Sequence, residues 1–148
     1  MTASFLTPLT LEYVDGRFWK LTSAFTYHLG APDGAESVTL PVGFLTDFAS
    51  VPRLLWPLLP PTGTYGKPAV IHDWLYQKRY VLVEVGFNSH AVQVPRSIDR
   101  SEADSVLLEA MWVLGVGSLA RWAVYAGVRL GGWITWNRYR RHDAEVSQ

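Results

Sequence analysis

At 148 residues the chain can bury a real core in a single domain without disulfide or metal staples. Thirteen Lys and Arg balance thirteen Asp and Glu, which leaves no basic surface of the kind nucleic-acid binding relies on, so no nucleic-acid partner is expected. The absence of cysteine excludes disulfides and thiolate metal sites and leans towards a reducing compartment.

The chain opens Met1-Thr-Ala-Ser-Phe-Leu-Thr-Pro8, without a basic region followed by an apolar run, so no signal peptide is expected. Residues 9 to 45 read as strands. Leu11 to Val14 and Arg17 to Leu21 flank Asp15-Gly16, a two-residue hairpin signal in which both turn positions take positive φ. Ser23 to His28 forms a third run, and Gly30 to Gly34 turns the chain into Ser37 to Leu40, completing an antiparallel meander. Ser50 can then cap a short helix whose first turn accepts Pro52. Leu54 to Pro61 is too rich in proline for a long helix. It must pack inward or present Leu55, Trp56 and Leu58 to a lipid or protein partner.

The glycine-bracketed turn Gly63-Thr-Tyr-Gly66 runs into a helix starting near Lys67, where Pro68 sits in the first turn and has no N–H to lose. On that helix His72 and Tyr76 share one face, and Ile71, Trp74 and Leu75 make the apolar side. A hairpin between Tyr80–Val85 and Ala91–Val94 follows. Asp99 and Glu102 have capping-box spacing and predict a helix to about Leu114. Its apolar stripe holds Asp104, Leu107, Leu108 and Met111, with Glu102, Ser105 and Glu109 opposite. A final helix spans about Leu119 to Trp136, and residues 137–148 form a polar, frayed tail. Glu109, Arg121 and Arg129 leave no uncharged stretch of roughly 18 residues, so no transmembrane helix is expected. The fold class is α+β: residues 1–45 mainly β, packed against a C-terminal helical half at 50–136 that holds the hairpin at 80–94.

A carboxylate inside an apolar stripe needs a partner, and His72 is the natural one for Asp104. In that arrangement His72 is a general base towards water, Asp104 fixes its tautomer and stabilises the imidazolium, and Tyr76 supports Asp104. Asp73 points elsewhere. With carbonyls from the Gly63 to Gly66 turn it could hold Ca²⁺ that polarises an ester carbonyl. Asp47, in Thr46-Asp-Phe-Ala-Ser50, reads first as a turn or cap carboxylate and second as a metal ligand. The bland alternative is that His72 and Asp104 simply tie two helices together.

Two resemblances add to this reading. Gly43-Phe-Leu-Thr-Asp47-Phe-Ala-Ser50-Val-Pro52-Arg53, Ile71-His-Asp-Trp-Leu-Tyr76, Arg100-Ser-Glu-Ala-Asp104 and Gly131-Gly132 fall in the order seen in the phage-encoded domain-of-unknown-function family numbered thirteen fifty-three, which the chain resembles from about residue 38 to 136. That resemblance implies a tailed-phage or prophage origin, synthesis in the host cytoplasm, incorporation in the virion as one destination, and phage proteins as partners; a membrane surface is the other partner, reached through Leu54 to Leu59 or the Trp-rich last helix. Separately, His72-Asp73-x-x-Tyr76 with a later Asp104 is similar to the motif of secreted and parvoviral phospholipases. It implies His72 as base, Asp73 as Ca²⁺ ligand, Tyr76 as support and Asp104 as orienting carboxylate. The chain departs from that family in having no cysteine and no matching calcium loop. Asp47, His72 and Asp104 binding a transition metal is the alternative.

Overall fold

The computed structural model describes residues 7–58, 66–87 and 89–147. Antiparallel strands dominate the N-terminal part and helices the C-terminal part, an α+β arrangement. The strands divide into two sheets where one meander was expected. β1 (Leu11–Asp15), β2 (Phe18–Leu21) and the short β5 (Leu45–Thr46) form the smaller, in the order β1-β2-β5. The larger has the order β3-β4-β6-β7, from β3 (Phe25–His28), β4 (Glu36–Leu40), β6 (Tyr80–Phe87) and β7 (His90–Ser97). The chain switches sheets between Leu21 and Phe25, and the later hairpin supplies half of the larger sheet, pairing β6 with β4 through Glu36↔Val83 and Ser37↔Leu82. Residues 80–97 therefore belong to the sheet, not to a helical half.

The first hairpin turns at Gly16-Arg17, one residue later than expected, and only Gly16 takes positive φ, at 56°. The register shifts between Tyr13 and Asp15, so a bulge absorbs the offset. The second hairpin is longer than its sequence pattern, reaching the pair Phe87↔His90.

Ser50 caps no helix. A single 3₁₀ turn, Arg53–Leu55, begins after Pro52 without a side-chain cap. α1 (Gly66–Lys78) is buried almost all round, from Pro68 to Tyr76, so it is a central core helix and not an amphipathic one. Its end is closed by Arg79, which takes the left-handed conformation and donates its N–H to the Leu75 carbonyl. α2 (Arg100–Val113) starts with the expected capping box: the Asp99 carboxylate accepts from the Glu102 N–H, and the Glu102 carboxylate accepts from the Asp99 N–H. Glu109 is not free on its outer face. It accepts from the Tyr27 hydroxyl and from the Gly30 N–H, pinning the β3–β4 turn.

α3 runs from Ser118 to Val146, ten residues beyond the expected end. The polar tail stays helical because Arg140 reaches back to the carbonyls of Tyr76 and Gln77 at the end of α1. The core lies between the larger sheet (Phe25, Tyr27, Val38, Leu40, Val81) and α1 and α2 (Val70, Ile71, Leu75, Leu107, Met111), with Val124 and Val128 of α3 closing it. No helix among the described residues is long and apolar enough to cross a membrane.

Candidate functional site

The three helices meet around one carboxylate. Asp104, in the first half of α2, has no exposed surface, and each of its oxygens is committed. Oδ1 lies 2.7 Å from His72 Nε2 and accepts from the Tyr76 hydroxyl at 2.6 Å. Oδ2 accepts from Arg129 Nη1 at 2.8 Å, with Arg100 Nη1 at 3.6 Å. The i, i+4 spacing of His72 and Tyr76 brings both to the same carboxylate oxygen, and Arg100 reaches Asp104 across one turn of its own helix. Arg100 also donates to the carbonyls of Val128 and Arg129 at 3.2 Å, so it joins α2 to α3.

The electrostatics assign the protons. Burial alone would raise the Asp104 carboxyl, but the hydrogen bonds from His72, Tyr76 and Arg129 outweigh it and hold the group below the usual carboxylate range. Burial lowers the His72 imidazole, more than Asp104 raises it. Near neutral pH the pair is thus an ionised carboxylate and a neutral imidazole, which places the imidazole proton on Nε2, facing Asp104. Nδ1 then carries the lone pair. It is buried and has no hydrogen-bond partner among the described residues.

Asp73 occupies a second cluster. It is fully buried; Oδ2 accepts from the Thr46 hydroxyl at 2.8 Å and from Gln77 Nε2 at 3.3 Å, and Oδ1 accepts from the Tyr139 hydroxyl at 3.3 Å. Burial, opposed by the Thr46 hydrogen bond, pushes its carboxyl up to about 7. Asp47 sits in a local turn, accepting from the Ala49 N–H at 3.0 Å and facing Arg17 Nε at 3.4 Å, and its charge adds to the rise of Asp73. Between Asp47 and Ala49, Phe48 adopts φ 56°, a left-handed conformation that costs a bulky residue about 1–3 kcal/mol.

The structure therefore gathers His72, Tyr76 and Asp104, places Asp73 in a neighbouring cluster, and leaves Asp47 serving its own turn. Among the described residues no three His, Asp or Glu side chains converge as a metal site. Both Asp73 oxygens already accept hydrogen bonds and Asp47 faces Arg17, and most of the glycine turn expected to complete a calcium site lies outside the described residues. Gly63 lies outside the described residues, and Gly66 is the first residue of α1. Leu55 and Trp56 pack inward, with Trp56 Nε1 donating to the Val51 carbonyl at 3.1 Å, whereas Leu58 is exposed.

Several members of these clusters have no site role assigned from the sequence: Arg100, Arg129, Thr46, Gln77 and Tyr139. Arg100 alone had a local signal, four residues before the buried carboxylate. Searches of curated proteins and of solved structures returned no match. The family model described as "Protein of unknown function (DUF1353)" matches residues 19–128, a span that holds His72, Tyr76, Asp104 and Arg100, and the chain belongs to that family.

Proposed function

We propose that the His72–Asp104 pair is the general-base site of a hydrolase acting on carboxylic esters, with lipid esters as the substrate class suggested by the phospholipase-like motif. One observation carries this reading. The imidazole has its Nε2 bound to an ionised carboxylate while its buried Nδ1 has no partner among the described residues. A buried polar atom left unpaired costs about 1–3 kcal/mol, so a histidine used only as a strut is better served with both nitrogens bonded.

In the proposed reaction Nδ1 takes a proton from water as its oxygen attacks the ester carbonyl. The imidazolium is stabilised by Asp104, which stays ionised, and returns the proton to the departing alkoxide. Tyr76 and Arg129 hold Asp104 in place and do not touch substrate. No step is assigned to calcium, whose donors around Asp73 are hydrogen-bonded to Thr46, Gln77 and Tyr139.

A second reading rests on a different observation: His72 and Asp104 have no exposed surface, and Asp104 is gripped by side chains from three helices. On that reading the chain is a non-enzymatic phage protein, a tail or accessory component, and the cluster braces its fold. A tailed-phage or prophage origin is common to both readings and rests on the ordered motifs alone.

The deciding experiment measures fatty-acid release from mixed phospholipid vesicles, with Ca²⁺ and with chelator, for the wild type and for His72→Gln matched by circular dichroism. Release lost in a folded variant sustains the hydrolase. No release by the wild type under either condition, with a lower melting temperature for the variant, sustains the brace.

A further inference from the structure

The outer face of α3 is inverted relative to a surface helix. Val124, Val128 and Gly132 turn to the core, and the opposite arc, where polar residues belong, presents Leu119, Trp122, Ala126, Leu130, Trp133 and Ile134. Leu119 is 88% and Leu130 80% exposed. The arc spans four turns of one helix, and beside its start Leu58 with Ala120 and Ala123 lines an adjoining apolar groove.

Charge selects what covers it. From Ser118 to His142 the helix carries five arginines and no carboxylate. Arg129 and Arg140 are spent inside, on Asp104 and on the end of α1. Arg138 and Arg141 are exposed just beyond the apolar arc, and exposed Arg53 lies on the 3₁₀ turn whose Pro52 and Leu55 contact α3 at Gly131 and Gly127. The first carboxylates are Asp143, which pairs with Arg140, and Glu145. A second copy of the chain would bring the same carboxylate-free stretch against Arg138 and Arg141. An anionic partner satisfies these cations while covering the leucines.

We propose that this face docks on an anionic phospholipid bilayer, with α3 lying in the headgroup plane, its leucine and tryptophan side chains in the acyl boundary and Arg53, Arg138 and Arg141 at the phosphates. The helix lies on the membrane and does not cross it, since no helix among the described residues is long and apolar enough to span one. Tryptophan suits such a boundary because its ring is apolar and its N–H needs a wet partner. The inference deepens the lipid-ester reading, on which its use rests. The inner face of the same helix supplies Arg129 to Asp104, so the docking element is also part of the site.

The test is co-sedimentation of the full chain with phosphatidylglycerol-containing vesicles and with pure phosphatidylcholine vesicles, beside Leu119→Ser/Leu130→Ser. Those two side chains are so exposed that their loss leaves the fold intact. Expected are binding to anionic vesicles at least about tenfold stronger than to neutral ones, a loss of at least about tenfold in the double variant, and quenching of tryptophan fluorescence by brominated acyl chains. Equal binding to both vesicles, or no binding to either, overturns the proposal. So does a dimer in sedimentation velocity that the double variant converts to monomer while neither binds lipid. Measuring fatty-acid release from the same vesicles separates the two readings: vesicle binding without turnover in the wild type keeps the docking and removes the esterase.

Discussion

Gly132 of α3 lies directly beneath the hydroxyl of Tyr76, so a Cβ built on it would overlap that oxygen and come within 3.3 Å of the ring carbon Cζ. Its neighbour Gly131 faces only Pro52 Cγ, at an ordinary 3.7 Å. Glycine inside a helix normally costs about 0.5–1 kcal/mol relative to alanine. Gly131→Ala should therefore stabilise the protein by up to about 1 kcal/mol. Gly132→Ala should destabilise it by about 1–3 kcal/mol, because the methyl must push Tyr76 off Asp104. Urea unfolding of the pair checks this, and equal effects of the two substitutions would refute the packing argument.

Asp104→Asn removes the charge that answers Arg129, and its amide presents an N–H₂ either to that guanidinium or, flipped, to His72 and Tyr76. Breaking a buried ion pair on one side costs about 3–5 kcal/mol, and the partial exposure of Arg129, 33%, puts this case near about 3 kcal/mol. The substitution also removes the reason for the imidazole proton to sit on Nε2. Nitrogen-15 shifts of His72 should report the Nε2–H tautomer in the wild type and a mixture in the variant. A single unchanged tautomer would show that something other than Asp104 sets it.

Much of this cluster was legible in the chain. His72 and Tyr76 share a face by spacing, Asp104 stood out as a carboxylate in an apolar stripe, and burial cost alone required a partner for it. The capping box at Asp99 and Glu102 fixed where α2 starts, and hence which way Asp104 points. Arg129 and Gly132 were not legible, because their role depends on how α3 crosses the other two helices, and nothing local encodes that angle. The division into two sheets was hidden for a related reason. Strand pattern gives faces, whereas the pairing of β4 with β6, across 40-odd residues, is decided by tertiary packing. The end of α3 escaped notice because its anchors are backbone carbonyls on α1, invisible in side-chain patterning.

Asp73 gives a pH signature of opposite sign to the usual carboxylate. Its folded value, about 7, lies above the unfolded value near 3.8, so the native state holds a proton that the unfolded chain has released. The resulting stabilisation is fully present below about pH 4 and is lost as pH rises through about 7. Asp73→Asn abolishes the term. Relative to the wild type, the variant should gain stability by a few kcal/mol between pH 4.5 and pH 8, measured as the difference of two denaturation series. Comparing variant with wild type cancels the other titrating groups, including His72, whose lowered value makes stability rise with pH below about 6.5. Parallel curves for the two proteins would mean that Asp73 is ionised in the native state.

The hydrolase reading makes its own prediction from the lowered imidazole. A general base must be neutral, and burial keeps His72 neutral below the ordinary histidine range. The ester-hydrolysis rate, as kcat/KM, should rise with pH along a limb whose midpoint lies below 6.5 and be flat across neutrality. Arg129→Met would leave Asp104 with a weaker partner, Arg100 at 3.6 Å, and a less firmly ionised carboxylate. Asp104 stays ionised across this pH range, and with a cation removed from beside the pair the imidazolium is less opposed, so that midpoint should move up; the plateau should drop because Asp104 is less firmly held, while KM stays near its wild-type value because Arg129 touches no substrate. A merely structural Arg129 would instead lower the amount of active protein and leave the midpoint where it was. A limb centred at or above 6.5 in the wild type would assign the titration to a group other than this buried histidine.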